Sequence, residues 1–200
     1  MMLVLPHSGL IPVSFGYVLP VLLIVWACLR YSGEKFSDIG FSPSRLSIKS
    51  LVVGTVAGLF IFSFLTWLFF PLLEKIVALD SNLADFNFIR GNTANYIFLL
   101  AMGWIVGGVY EELVFHGFIF TRLEKLFSGR YALTIAFVLT NLAFAFYHLQ
   151  LGAGGVVNAL LAGSAYHVLS LYHERNLWYG IICHGVFDTI GITFIYAGYW

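Results

Sequence analysis

The feature that most constrains this chain is a stretch of 43 consecutive residues, from Tyr131 to His173, that contains no Asp, Glu, Lys or Arg. An α-helix needs about 20 mainly apolar residues to cross the roughly 30 Å hydrocarbon core of a bilayer. The stretch is about twice as long as one crossing, so it must fold back on itself. The turn is predicted at Gln150, Gly152, Gly154 and Gly155, because these residues are polar or conformationally permissive.

Four further runs have the length of a spanning helix. They are Met1 to Leu29, Leu51 to Leu73, Gly91 to Phe120, which includes two glutamates, and Leu177 to about Tyr199. Together the runs predict an all-α, polytopic membrane helix bundle with about six transmembrane helices. The composition, 60% apolar and 10% charged, excludes an ordinary soluble domain, which has roughly 25% charged residues. We expect one integral membrane domain over residues 1–200, with two spans within 1–90 and the chemically informative helices within 91–200.

The charges say little about a soluble partner but indicate an orientation. Ten Lys and Arg balance ten Asp and Glu, which argues against a nucleic-acid partner and leaves the lipid bilayer as the expected environment. Eight of the ten basic residues fall in alternate loops: Arg30, Lys35, Arg45, Lys49, Arg122, Lys125, Arg130 and Arg175. Because basic loops stay on the cytoplasmic side, we expect both termini outside, in the plasma (inner) membrane.

Residues 74–92, between the second and third predicted helices, have two open interpretations. Apolar side chains recur there at helical spacing, at Ile76, Leu79, Leu83, Phe86 and Ile89. This spacing favours an amphipathic segment along the outer membrane interface. An ordinary loop is the alternative.

Several ionisable residues lie inside the predicted spans: Glu111, Glu112, His148, His167, His184 and Asp188. Each such residue costs at least about 2.5 to 3.5 kcal/mol on insertion scales, so each calls for a partner or a function. For His167 we favour a hydrogen-bonded core histidine. The other five are candidate site residues.

The third and fourth helices are predicted to form an antiparallel hairpin that turns near Ser128 and Gly129. Glu111 lies 17 residues before this turn and His148 lies 19 residues after it, so the two side chains are expected at similar depth. Gly103, Gly107 and Glu111 share one helix face, where the small residues let another helix approach closely. This row of small residues therefore predicts that Glu111 lies in a tight interface between two helices.

Two other rows follow from the same helical spacing. Gly180, His184 and Asp188 share a face of the last helix. Adjacent residues of an α-helix diverge by about 100°, so Glu112 is expected to point away from Glu111, towards His116 four residues later on its own face. We therefore predict different roles for the two glutamates.

A buried carboxylate beside an imidazole is suited to taking a proton from water, which indicates hydrolysis of an amide or ester carbonyl. His184 is the candidate donor to the developing oxyanion. Two imidazoles and one carboxylate can also bind a divalent metal such as zinc, with Glu111, His148 and His184 as the ligand set. The spacing His-Glu-x-x-His is absent, so a metal is neither indicated nor excluded.

Three stretches of the chain, in order, resemble the motifs of the CPBP family, which contains the CAAX proteases and bacteriocin-processing enzymes and is also called the Abi family. They are Glu111-Glu112-Leu113-Val114-Phe115-His116, then Phe144-Ala145-Phe146-Tyr147-His148, then His184-Gly185-Val186-Phe187-Asp188. They correspond to the patterns Glu-Glu-x-x-x-Arg, Phe-x-x-x-His and His-x-x-x-Asn/Asp. The resemblance covers about residues 95–197.

This resemblance implies an intramembrane endopeptidase that acts on a membrane-associated peptide or protein. It implies that Glu111 and His148 activate water, and that His184 and Asp188 act on the carbonyl side, with Glu112 also in the catalytic set. Older descriptions of the family as metalloproteases imply a metal. One residue departs from the pattern, because His116 stands where the family usually has arginine, and we expect it to pair with Glu112 and modulate it.

Two functions of other classes stay open at this point. A catalytically silent membrane scaffold or immunity-type protein would keep the helices and lack turnover, and the departure at His116 is compatible with it. A proton-coupled carrier would use glutamate and histidine chains as proton relays. The carrier is the least favoured, because the ionisable residues are confined to one half of the chain.

Overall fold

The computed structural model describes residues 15–200, and within this range the fold is entirely helical. Six helices pack into one bundle: α1 Val18–Tyr31, α2 Ile48–Leu73, α3 Thr93–Leu126, α4 Ala132–Phe146, α5 Leu149–Tyr172 and α6 Leu177–Tyr196. The predicted class, an all-α polytopic membrane bundle, is confirmed. The first part of the predicted first helix, residues 1–14, lies outside the described residues.

Four of the helices, α2, α3, α5 and α6, are long and apolar enough to cross a membrane. Helices α1 and α4 are apolar but shorter. Large apolar side chains cover the outside of the bundle, including Leu19, Trp26, Val56, Phe60, Trp67 and Val138. A surface of this kind is unfavourable in water and favourable against acyl chains, so the chain is an integral membrane protein.

The middle of α3 differs from the α-helix that its sequence predicts. Over Gly103–Ile119 the backbone is a π-helix. The N–H of Phe120, at its end, donates to the carbonyl of Phe115, five residues earlier. Because this helix has more residues per turn than an α-helix, successive side chains diverge by less than about 100°.

Helix α6 lies at the centre of the bundle, packed mainly against α2 and α3. Glycines permit the close approach on both sides. A Cβ added to Gly58 of α2 would lie 2.6 Å from the carbonyl oxygen of Cys183, and one added to Gly107 of α3 would lie 2.3 Å from Oδ2 of Asp188. The predicted small-residue face of α3 is therefore the surface on which α6 packs.

Three loops meet at one end of the bundle, which we call the basic end: residues 32–47, 127–131 and 173–176. Arg122 and Lys125, close to the second loop, both donate to the carboxylate of Glu34. Hydrogen bonds from Lys125 and then Arg122 hold the pKa of Glu34 below its usual range. Arg175 forms a bidentate pair with Glu124, at 2.6 and 2.8 Å. These ion pairs connect loops that the positions of the basic residues predicted to lie on the same side of the membrane.

At the other end, residues 74–92 form a loop with one short 3-10 helix, Ala84–Ile89. The loop lies against the start of α5. The carbonyl of Asp80 accepts from the N–H of Gly154 at 2.8 Å, and its carboxylate accepts from the N–H of Ala153 at 3.2 Å. Of the two interpretations offered for this segment, the described backbone matches the loop.

Candidate active site

The side chains of Glu111, His148 and His184 converge from three different elements. Oε2 of Glu111 in α3 lies 3.8 Å from Nε2 of His148, which directly follows α4, and 4.0 Å from Nε2 of His184 in α6. The hairpin of α3 and α4 thus places Glu111 opposite His148, as their distances from the turn predicted. His184 therefore lies at the same depth in the bundle as the other two residues.

Glu111 is buried, with 7% of the residue exposed, and its Oε2 has no hydrogen bond to a described protein atom. The two imidazole nitrogens nearest to it are beyond direct hydrogen-bond distance. A carboxylate oxygen in this position is expensive unless it is protonated or bonded to a molecule that enters the site. The geometry therefore leaves Glu111 available to a water molecule or a substrate.

His148 is oriented by the backbone of α4. Its Nδ1 lies 2.8 Å from the carbonyl oxygen of Phe144, one helical turn earlier. Because a carbonyl only accepts, Nδ1 carries the proton, and in a neutral ring Nε2 presents its lone pair towards Glu111. The His148 ring also packs against the ring of Phe144, at 4.8 Å between centroids.

Glu112 lies behind His184 and is fully buried. Its Oε1 accepts from Nδ1 of His184 at 3.1 Å, and its Oε2 accepts from Nδ1 of His116 at 2.7 Å. The predicted pairing with His116 is present. The two glutamates lie on different sides of the His184 ring, since Glu112 is bonded to Nδ1 and Oε2 of Glu111 lies 4.0 Å from Nε2.

Asp188 follows His184 by one turn of α6. Its Oδ1 lies 3.7 Å from Nε2 of His184, so the row predicted on this helix is formed. Its side chain is partly exposed, at 27%, and it borders the same cavity as Glu111. Asp188 therefore faces the cavity side of His184, whereas Glu112 holds the opposite side of the ring.

The second polar cluster of the bundle is formed by His116, His167 and Asn141. The rings of His116 and His167 stack at 4.4 Å with an angle of 21° between their planes, and Nδ1 of His167 lies 3.0 Å from Nδ2 of Asn141. His167 is fully buried, which agrees with the prediction of a core histidine. His116, one of these two rings, stands at the position where the family pattern usually has arginine.

A cavity of about 670 Å³ extends from these residues towards the loop 74–92. Glu111, His148, His184 and Asp188 lie on its wall, and Glu112 does not. Glu112, which was grouped with the catalytic residues on sequence, is thus placed where it can orient His184 and cannot itself reach a molecule in the cavity.

Sequence reasoning missed two tyrosines of this site. Tyr166 of α5 stacks on the ring of His184 at 4.5 Å, and Tyr147 lies on the cavity wall beside His148. The only available signal was the position of Tyr147 next to His148. Nothing in the sequence distinguishes Tyr166 from other aromatic residues of the bundle.

The suggested metal ligands do not fit a metal centre in the part of the chain that is described. No group of three or more His, Cys, Asp or Glu side chains in residues 15–200 is arranged to hold a metal ion.

Comparison with known proteins identifies one family. Residues 93–190 match the model of the family described as type II CAAX prenyl endopeptidase Rce1-like. No curated protein and no solved structure matched the chain. The matched segment begins with α3 and ends two residues after Asp188. It therefore contains the three motifs, including the converging side chains of Glu111, His148 and His184. This segment of the chain is therefore similar to the Rce1-like type II CAAX prenyl endopeptidases.

Proposed function

We propose that this protein is an intramembrane endopeptidase that hydrolyses a peptide bond of a membrane-associated protein or peptide with water activated by Glu111 and His148. The family supports a CAAX protease in general terms. The observation that carries the specific mechanism is the position of Glu111 Oε2, which is buried at the cavity wall without a hydrogen bond and within 4.0 Å of two imidazole nitrogens.

The distance between Glu111 and His148 suits a water molecule between them. At 3.8 Å the two atoms are too far apart for a direct hydrogen bond, and a single water can donate one hydrogen to each. Such a water has its oxygen lone pair directed into the cavity. Glu111 then acts as general base, and Nε2 of His148 orients the water.

The bond changes follow from these positions. The water oxygen bonds to the scissile carbonyl carbon, its proton passes to Glu111, and the carbonyl oxygen becomes an oxyanion. His184, in its imidazolium form, donates from Nδ1 to Glu112 and from Nε2 to this oxyanion. The C–N bond then breaks, and the proton held by Glu111 passes to the leaving amine. Asp188, 3.7 Å from Nε2 of His184, balances the charge of that ring.

A turnover assay with purified protein in lipid nanodiscs and a library of membrane-associated peptides tests the proposal. Glu111→Gln keeps the shape of the side chain and removes the base, so we expect turnover to fall by at least about 10²-fold. Glu34→Gln, which alters a carboxylate at the basic end, is the matched control and keeps activity. We expect turnover to persist with a metal chelator, because the described residues do not form a metal site. Unchanged turnover by Glu111→Gln contradicts the mechanism.

The same variant separates the enzyme from a catalytically silent scaffold. The departure at His116 is compatible with the scaffold, but His116 donates to Glu112 at 2.7 Å, so the pairing expected between these two residues is present. A scaffold keeps its cellular effect when Glu111→Gln is expressed at the normal level. A protease loses it.

A further inference from the structure

Polar groups hold the ring of His184 along its edge. Nδ1 donates to Glu112 at 3.1 Å, and Nε2 lies 3.7 Å from Asp188 and 4.0 Å from Glu111. A hydrogen bond fixes the direction of one N–H group and leaves the ring free to rotate about that bond. Such a rotation would move Nε2, the atom that the proposed mechanism directs at the oxyanion, so the plane of the ring needs a second constraint.

Tyr166 of α5 supplies a constraint from the face of the ring. The two rings stack with 4.5 Å between their centroids and 23° between their planes. Tyr166 is buried, with 1% of the residue exposed, and lies on the wall of the large cavity. Phe144 of α4 meets the His184 ring in an edge-to-face arrangement at 6.0 Å. The imidazole is therefore confined by aromatic side chains from two helices that do not provide its hydrogen-bond acceptor.

The Tyr166 ring is itself fixed by close packing between α5 and α6. It forms a core cluster with Ala162 and Cys183, and Phe187 packs against it with 6.0 Å between ring centroids. The two helices approach closely here, because a Cβ added to Gly180 would lie 3.1 Å from the carbonyl oxygen of Tyr166. A side chain in such a core sits in a rotamer minimum, so it can define the position of a ring that stacks on it.

The stack also places an electron-rich face beside a ring that is charged in the proposed mechanism. The face of an aromatic ring is the negative side of its quadrupole, and a cation within about 6 Å of the centroid is attracted to it. The centroid distance of 4.5 Å meets this condition. The attraction is greater in a desolvated site, and His184 is buried. The stack therefore favours the imidazolium form of His184, from which Nε2 donates to the oxyanion.

We infer that Tyr166 is a positioning residue of the site: its aromatic ring sets the plane of His184 and stabilises the positive charge on that ring as Nε2 donates to the oxyanion. The inference rests on the proposed function, and it assigns the effect to the ring of Tyr166 and not to its hydroxyl group. It adds a residue from outside the three motif stretches, because Tyr166 lies between the second and the third.

Three substitutions and one control test the inference by steady-state kinetics with the library peptides. Tyr166→Phe keeps the stacked ring, and we expect its kcat to stay within about threefold of the parent value. Tyr166→Leu and Tyr166→Met keep an apolar side chain and remove the ring, so we expect kcat to fall by about tenfold or more while KM changes less. Tyr179→Leu is the matched control and is expected to keep the parent kcat, because Tyr179 stacks on His173 at 3.7 Å near the basic end.

The mobility of the His184 ring gives a second readout that does not depend on turnover. In nanodiscs with isotope-labelled histidine, the resonances of this ring are identified by their loss in His184→Gln. Their NMR relaxation reports the motion of the ring on the ps–ns timescale. We expect a rigid ring in the parent and in Tyr166→Phe, and a mobile ring in Tyr166→Leu and Tyr166→Met.

The two measurements separate the inference from the proposed function. Parent kcat or parent ring mobility in both Tyr166→Leu and Tyr166→Met overturns the inference. So does a loss of kcat in Tyr166→Phe as large as that in Tyr166→Leu, which would assign the effect to the hydroxyl group. Absence of cleavage by the wild-type protein overturns the proposed function instead, and the ring mobility of His184 then still decides whether Tyr166 fixes it.

Discussion

Glu112 accepts a hydrogen bond from Nδ1 of His184 at 3.1 Å across the interface between α3 and α6. Its second oxygen accepts from His116 at 2.7 Å, so one fully buried carboxylate holds two imidazole rings. The contact fixes the ring of His184 with Nε2 towards the cavity, in the way that a buried carboxylate orients the histidine of a hydrolytic triad. In the proposed mechanism, Glu112 is therefore a positioning residue for His184, which lies on the cavity wall.

The first prediction concerns this positioning. Glu112→Gln keeps the volume of the side chain but offers one acceptor oxygen and one amide donor to two rings that both donate. We expect kcat to fall by about 10²-fold or more while KM changes little, because the ring of His184 loses its orientation and the cavity wall is unaltered. Steady-state kinetics with the library peptides measure kcat and KM separately.

A partial rescue separates positioning from a structural role. Glu112→Asp retains the two acceptor oxygens, so it is expected to recover part of the lost kcat. Glu124→Gln, on the same helix near the basic end, provides a control that leaves kcat unchanged. A folded Glu112→Gln protein with the parent kcat contradicts the prediction.

The second prediction concerns the histidine that replaces the family's arginine. His116 is buried and stacked on His167 at 4.4 Å, so a longer arginine has no room unless His167 is shortened. Overpacking of this kind costs about 1 to 3 kcal/mol. We expect His116→Arg to lower the thermal stability and the activity of the protein.

The pair is tested by a double-mutant cycle. His167→Ala alone removes the stacked ring, and the combination of His116→Arg with His167→Ala is expected to be more stable than the two single effects predict when added. Thermal unfolding in detergent measures the change in stability of each single variant and of the double variant relative to the parent. Strict additivity would show that the two positions do not share space.

The third prediction concerns the approach of α3 to α6. A Cβ at position 107 would lie 2.3 Å from Oδ2 of Asp188 and 3.4 Å from Nε2 of His184. Gly107→Ala is therefore expected to displace Asp188 and to reduce both stability and turnover, with a stability loss of about 1 to 3 kcal/mol. Gly191→Ala on α6 is the matched control, because its added Cβ meets neighbours at an ordinary 3.8 Å. Equal effects of the two substitutions would contradict the close approach.

The fourth prediction is a pH dependence at the basic end. Lys125 and Arg122 hold the pKa of Glu34 below its ordinary value of 4.5. A lowered folded-state pKa stabilises the fold at pH values above the unfolded pKa, and this contribution is lost as the pH falls through the folded-state value. Glu34→Gln is therefore expected to be less stable than the parent at neutral pH, by about 1 kcal/mol or less because the groups are partly solvated and screened.

Thermal unfolding at two pH values and two salt concentrations checks this. The difference between parent and variant is expected to be lost as the pH falls through the lowered folded-state pKa of Glu34, where the carboxylate becomes protonated, and to shrink at high salt. A difference that is constant from neutral to acidic pH would show that the ion pair does not contribute.

The number of helices and the contacts within one helix could be predicted from the sequence because both depend on local properties. Uncharged runs are long enough to cross a bilayer, and backbone groups in lipid must bond within their own segment, so each run forms a helix. Positions four apart share a face, which correctly predicted the contacts of Glu112 with His116 and of His184 with Asp188. The hairpin also placed Glu111 opposite His148 by counting residues from its turn.

The contacts between helices were decided only by the tertiary structure. The bond from Glu112 to His184, the stacking of His116 on His167 and the stacking of Tyr166 on His184 depend on how far each helix is rotated and how closely it packs. The π-helical turns of α3 change the rotation of every following side chain, and the glycines at 58 and 107 set the distance at which α6 packs. Such effects arise from the summed packing of all six helices, which no spacing within one segment encodes.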